Sequence, residues 1–346
     1  MGSQENGQQV SRALVTGGGG FLGKAIVRQL VERGDRVFSL ARHRYPELEQ
    51  LGVTQIAADI SQPEPVIKAC RDMDVVFHTA AKPGVWGAYA EYHRPNVLGT
   101  KNVLDACRGN RVPRLIYTST PSVVFNGRDM EGVDESCPYP RRLPTPYTRT
   151  KAMAEQMVRR AAAEGQVRVI ILRPHLIWGP GDPHLVPRVI ERADKLARIG
   201  RGDKRVDTIY IDDAARAHLL AADRLAEEAA LSGSIYFISQ DEPIPMWDMI
   251  NGILAAADKP PINRTVPAGA VWLAGALLEA VYRLGRRKTE PPMTRFVAKE
   301  LATAHWFDIS AAKQDLGYQP RLTIQEGLDR LAAWLQHHPL PGGGCH

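Results

Sequence analysis

Apolar positions in the first half of this 346-residue chain fall into two alternating rhythms. Short unbroken apolar runs occur at Ala13-Leu14-Val15-Thr16, residues 36–40, 55–58, Val75-Val76-Phe77-His78, 114–119 and 167–172. Runs of that length, closed by glycine or small polar residues, read as strands buried on both faces of a parallel sheet. Between them, residues 21–33, 96–108 and 147–164 carry helical spacing. The first of these puts Leu22, Ala25, Ile26 and Leu30 on one face and stops at Gly34. Strand–helix alternation of this kind predicts an α/β fold with a doubly wound parallel sheet and ligands at the strand C-termini.

After Arg173 the rhythm breaks at the turn cluster Gly179-Pro180-Gly181-Asp182-Pro183. Mixed short segments follow, then an amphipathic helix over 324–336. The expected organisation is a first domain over 11–173 with returns near 206–240, notably 209–225 and 235–238. A smaller, interleaved mixed α/β lobe takes most of 174–338, with tails at 1–10 and 339–346. The most apolar stretch, 268–284, holds Trp272, Leu273, Leu277, Leu278 and Val281, followed by Arg283, Arg286, Arg287 and Lys288. It is too short and too interrupted by Glu279 and Arg283 to cross a membrane. Two readings stay open: a lid or core helix of the small lobe, or a membrane-surface contact through which a greasy substrate enters.

Composition narrows the class. With 44% apolar and 24% charged residues the chain is an ordinary soluble globular protein. Its net charge of +6 suits an anionic ligand such as a dinucleotide, an acidic substrate or an anionic membrane surface. Lys and Arg are scattered and no nucleic-acid module is visible, so no nucleic-acid partner is expected. The cysteines, Cys70, Cys107, Cys137 and Cys345, form no metal-like cluster, and no metal is expected. They read as reduced thiols, and with a polar, signal-free N-terminus they point to a cytoplasmic protein.

The chemistry sits at the strand ends. Gly17-x-x-Gly20-x-x-Gly23 lies between a strand and a helix, where glycines let the backbone approach a pyrophosphate and the helix N-terminus offers N–H donors. The second strand ends Leu40-Ala41-Arg42-His43-Arg44, without the carboxylate that would bind a ribose 2′-hydroxyl. Arg42 can instead grip a 2′-phosphate, so NADP(H) is the expected cofactor. Asp59 either accepts the adenine amino group or caps the next helix. His78-Thr79-Ala80-Ala81 closes the fourth strand with small residues that admit the cofactor ribose, and His78 itself reads as structural. Tyr147 and Lys151, four apart on one helix face, form a proton-handling pair in which the lysine is expected to lower the tyrosine pKa. A hydroxyl from Thr118-Ser119-Thr120 should polarise the same oxygen, with Ser119 and Thr120 competing for the role. Lys82 and His175, on loops at strand C-termini, are candidates to meet a substrate carboxylate, and Trp86 to wall an alkyl chain.

Taken in order, the glycine motif, His78-Thr79-Ala80-Ala81, Asn96-Val97-Leu98-Gly99-Thr100, Tyr117-Thr118-Ser119-Thr120, Tyr147-x-x-x-Lys151 and Arg173-Pro174 resemble the extended short-chain dehydrogenase/reductase family over nearly the whole chain. Within it the chain resembles the 3β-hydroxysteroid dehydrogenase/isomerase branch, and there the reductases of 2-alkyl-3-oxoalkanoates in bacterial long-chain olefin biosynthesis. Leu176-Ile177-Trp178-Gly179-Pro180-Gly181-Asp182, Val206-Asp207-Thr208-Ile209-Tyr210-Ile211-Asp212 and Glu290-Pro291-Pro292-Met293-Thr294-Arg295-Phe296 carry that finer likeness.

The resemblance implies a Rossmann sheet and an NADPH-dependent enzyme that reduces the 3-keto group of a long-chain apolar keto acid. It places the family's catalytic hydroxyl on Thr120 with Ser119 as alternative, Asn96 near the active-site water or helix bend, and Pro174 beside the nicotinamide amide. The cofactor set becomes Gly17, Gly20, Phe21, Leu22, Gly23, Arg42, Asp59, Ile60, Ala80, Tyr147, Lys151 and Pro174. It further implies a homo-oligomer and an assembly with a β-lactone synthetase and a β-lactone decarboxylase. A 3β-hydroxysteroid or sterol dehydrogenase, a nucleotide-sugar epimerase and a non-catalytic NADP-binding subunit are the rival readings.

Overall fold

In a computed structural model the protein is described over residues 10–200, 203–287 and 289–338. The expected tails, save Val10, together with Lys288 and Cys345, lie outside the described residues.

Seven parallel strands form the main sheet: β1 (Arg12–Thr16), β2 (Arg36–Ala41), β3 (Thr54–Ala57), β4 (Val75–His78), β5 (Arg114–Thr118), β6 (Arg168–Pro174) and β7 (Ile235–Ile238). Their spatial order is β7-β6-β5-β4-β1-β2-β3, with the reversal at β1 and β4 that opens a crevice for a ligand. Alternation along each strand splits the core in two. Ala13, Val15, Val75, Phe77, Ile116, Ile170 and Leu172 face helices α1 (Phe21–Glu32) and α5 (Ile211–Glu227). Leu14, Val76, Leu115, Tyr117, Val169 and Ile171 face α2 (Pro63–Ala69), α3 (Gly99–Gly109) and α4 (Pro146–Ala163).

The chain returns to this sheet from the small lobe: Ile235–Ile238 pairs with β6 in the register Ile235–Ile171 to Ile238–Pro174. It also leaves it early. Met130–Val133, inside the span expected for the first domain, pairs with His305–Phe307 of the small lobe. That four-stranded sheet is completed by Arg205–Val206 and Ile244–Pro245. Strands this short have no legible period, and only their distant partners define them.

The small lobe also holds α6 (Ala268–Leu284) and α7 (Arg295–Glu300). Of the readings of 268–284, the core half of the lid-or-core reading is overturned, which leaves a lid and a membrane-surface contact. Gly275 and Glu279 are its buried residues, and Leu273, Leu277, Val281 and Leu284 face outward. No helix among the described residues is long and apolar enough to cross a membrane.

Candidate active site

A cleft of about 1070 Å³ runs along the C-terminal ends of β1, β2, β4, β5 and β6. It is walled by Gly17, Gly20, Phe21, Leu22, Gly23, Arg42, Asp59, Ile60, Ala80, Lys82, Ser119, Thr120, Tyr147, Lys151 and Pro174. Stretches of 17 to 37 positions separate the groups of these residues along the chain, and the doubly wound topology brings them to one edge.

The glycine turn fits a pyrophosphate. Gly17 has φ of +74°, and a Cβ there would lie 2.9 Å from the Ala80 backbone. A Cβ on Gly23 would fall 2.1 Å from the Gly17 carbonyl, so only glycine lets α1 pack against the turn. No side chain caps α1 at Gly20, which leaves its first N–H groups for an anion. Tyr45, overlooked in the sequence, lies over Gly19, where a Cβ would come within 1.9 Å of its ring. Arg42 is exposed on the cleft wall. Asp59 turns one oxygen to the Ser61 N–H (2.9 Å) and hydroxyl (2.7 Å) and the other to Arg94 (3.0 Å), and it does not cap the following helix, whose N-cap Gln62 makes no side-chain capping bond.

Tyr147 is set in the first turn of α4 by a capping box between Thr145 and Thr148, with Pro146 at the first helical position. Burial pushes its phenol up to about 12, partly offset by a hydrogen bond with Thr120. This differs from the expectation that Lys151 lowers it. Lys151 Nζ instead donates to the Tyr117 hydroxyl (3.0 Å) and the Thr118 carbonyl (2.7 Å). Burial brings the Lys151 ammonium down to about 7, against the pull of Glu155.

The two competing hydroxyls have separate partners. Ser119 Oγ donates to Glu155, which also accepts from Tyr139 (2.6 Å) and pairs with Arg173. Thr120 Oγ1 accepts from the Ser122 N–H at 3.3 Å and shares a hydrogen bond with Tyr147. Glu155 and Arg173 are fully buried, and the sequence reading missed them. The one available signal is position: Glu155 follows Lys151 by one helical turn, and Arg173 precedes Pro174.

Asn96 lies where the helix leading into α3 widens to π geometry over Arg94–Leu98. It accepts from the Lys82 N–H (2.7 Å) and donates to the Lys82 carbonyl (3.2 Å) and Thr150 (3.1 Å), so it ties the loop after β4 to α4. His78 is structural: it bridges Thr16 (2.8 Å) and Thr100 (3.0 Å), and burial holds it down to about 3.

The substrate candidates separate. Lys82 lines the cleft, paired with Glu91. His175 is buried with its Nε2 against His305 Nδ1 at 2.7 Å, and burial keeps its pKa well below normal. It lines neither this cleft nor the next, because strand alternation turns it away from the face that Pro174 presents. Trp86 walls a second cleft of about 1000 Å³, which shares Glu91 with the first and reaches Thr145 and Pro146 at the start of α4. Phe125, Trp272, Tyr282 and Phe296 line it with Arg142, Arg283, Arg286 and Arg295. No metal-binding group of His, Cys, Asp or Glu occurs among the described residues.

Residues 14–266 match the 3-beta hydroxysteroid dehydrogenase/isomerase family. The chain belongs to that family. It is 50% identical to the 2-alkyl-3-oxoalkanoate reductase of Shewanella oneidensis over 336 residues, covering 94% of this chain and 87% of that one. The enzyme of the same name from Stenotrophomonas maltophilia is 47% identical over 326 residues, 93% of this chain and 98% of its own. Among solved structures, MoeE5 in complex with UDP-glucuronic acid and NAD is similar at TM-score 0.72 and 25% identity, covering 94% of this chain and 99% of that one. This family member is therefore a nicotinamide-dinucleotide oxidoreductase on a Rossmann-type sheet.

Proposed function

We propose that the protein reduces the 3-keto group of a long-chain 2-alkyl-3-oxoalkanoic acid with NADPH. The observation that carries this reading is the likeness, over almost the whole chain, to two reductases of that substrate. The site's own chemistry supports it. Bound along the first cleft, the reduced nicotinamide supplies the hydride. Tyr147, held protonated at neutral pH by burial, donates a proton to the oxygen at C3. Thr120 is the polarising hydroxyl, since it bonds to Tyr147 while Ser119 is engaged by Glu155. Lys151 braces the strand end at Thr118 and, charged, favours the dinucleotide. The second cleft, apolar and aromatic with a basic rim, takes the alkyl chains and carboxylate.

NADPH over NADH rests on Arg42 at the cleft wall and on Ala41 where NAD enzymes place an acid. Arg42→Ala should raise the KM for NADPH and leave NADH use nearly unchanged. Equal effects on both remove Arg42 from 2′-phosphate recognition.

The deciding experiment follows dinucleotide absorbance with a 2-alkyl-3-hydroxy (or 3-oxo) fatty acid, a 3β-hydroxysteroid and a UDP-sugar. The fatty acid should be turned over best, with kcat/KM rising with chain length as each buried methylene adds about 0.8 kcal/mol. A steroid or sugar turned over far better than every fatty acid overturns the substrate.

A further inference from the structure

Helix α6 is built inside out. Its inner face packs Ala268 and Val271 against the core, and beyond them it is held by polar and backbone contacts. Gly275 lets the chain at Thr294 approach so closely that a Cβ would lie 2.9 Å away. Glu279, buried, accepts from the Arg295 N–H (2.8 Å), the Arg295 guanidinium (2.8 Å) and Arg283 (3.1 Å). The outer face is apolar. Leu273, Leu277, Val281 and Leu284 are exposed by 56%, 62%, 55% and 86%. Their spacing of four, four and three residues makes one stripe. At about 1.5 Å per residue the stripe runs roughly 16 Å. A water-facing helix normally shows the reverse pattern. An exposed row of this kind marks a contact surface.

Charge selects the occupant. The helix's acid, Glu279, is turned inward and neutralised, so no acid shares the apolar face. Arg283, Arg286 and Arg287 stand exposed at its C-terminal end. An apolar stripe with a cationic end matches a bilayer whose headgroups are anionic. A second copy meeting this face would bring apolar residues but no acid from the same stripe to answer the arginines. The second cleft lies against the same helix, at Trp272, Tyr282 and Arg283.

We infer that α6 lies flat on an anionic membrane surface, its Leu273–Leu277–Val281–Leu284 stripe sunk among the lipids and its C-terminal arginines among the headgroups. The second cleft then opens at the lipid surface, and a long apolar chain reaches it without crossing water. The docking surface stands on the helix alone, whereas its use by a long-chain acid rests on the reading proposed above.

The test is co-sedimentation of the full chain with vesicles of phosphatidylcholine and with equimolar phosphatidylcholine and phosphatidylglycerol. The protein should sediment with the mixed vesicles, less so at high salt, and little with phosphatidylcholine alone. The double variant Leu277→Ser/Val281→Ser should weaken partition by at least about tenfold. Its melting temperature, oligomeric state and turnover of a short water-soluble ketone should match wild type, since neither side chain lines a cleft. Failure to bind mixed vesicles overturns the proposal, as does equal binding by the double variant. So does a dimer that the double variant splits, because the stripe is then an interface between copies. Vesicle binding needs no turnover, so failure of the fatty-acid assay leaves this result readable.

Discussion

Helices α4 and α6 each turn one glutamate inward onto arginine, in opposite surroundings. Glu155 on α4 and its Arg173 are both shut from water, and Ala154, Val158 and Ala161 pack the same face into the core. Glu279 on α6 meets Arg295 and Arg283, whose side chains are 44% and 60% exposed, and little apolar surface is buried beside it. A sealed ion pair cannot lose one member cheaply, whereas solvated arginines are readily replaced by water. One helix is therefore a fixed floor that holds Tyr147, Lys151 and Glu155 in register. The other is a wall clipped on by a few polar contacts.

The widest gap between them should be in turnover. Tyr147→Phe is expected to lower kcat by about 10³-fold while dinucleotide affinity, read by fluorescence, stays near wild type. Tyr282→Phe on α6 should leave kcat close to wild type. A comparable kcat loss at Tyr282 would break the division between floor and wall.

Next come the hydroxyls at the floor. Thr120→Val should cost about 10²–10³ in kcat. Ser119→Ala should cost much less rate, and its main effect should appear in thermal melting, because it strips a donor from Glu155. A reversed order would make Ser119 the group that faces the substrate oxygen.

Stability sharpens the contrast directly. Glu155→Gln should destabilise by about 3–5 kcal/mol in urea titration, because it leaves Arg173 buried without its counter-charge. Glu279→Gln should cost about 1 kcal/mol or less. Equal losses would mean that α6 is as firmly built in as α4.

The smallest effect concerns pH. Lys151, brought down to about 7 by burial, is a cation below that pH and neutral above it. In kcat/KM for the dinucleotide, which reports the free enzyme, activity should fall as pH rises through about 7. Glu155→Gln should move that limb to lower pH, since Glu155 is the charge that holds the proton on Lys151. A limb unmoved by the substitution would detach Glu155 from the titration.

What could be read in advance follows how local each feature is. The glycine turn, the strand ends and the Tyr147–Lys151 spacing depend on neighbours within a few residues, and they meet in one cleft. The apolar character of 268–284 was equally plain, but its orientation was not. That is decided by Gly275 and Glu279 meeting a segment ten and eleven residues beyond the helix end, at Thr294 and Arg295. His175 was placed at the cleft because it follows Pro174, yet a one-residue step on a strand reverses the face. Glu155 carried a visible spacing, but its meaning depends on Arg173, which the sheet supplies from another element. Tyr147 misled differently: proximity of Lys151 in sequence suggested a lowered pKa, and the lysine's amine is spent on Tyr117 and Thr118.

Strand β7 has a consequence for modularity. The main sheet is completed by residues 235–238, after the chain has already travelled through the small lobe. A fragment cut after Pro174 would leave β6 as an outer strand with a row of open backbone groups, and with it the segment that carries Arg173. The substrate lobe is therefore no cassette that one splice can exchange. A working chimaera with another member of the family needs at least two crossovers, one on each side of the stretch that returns to the sheet.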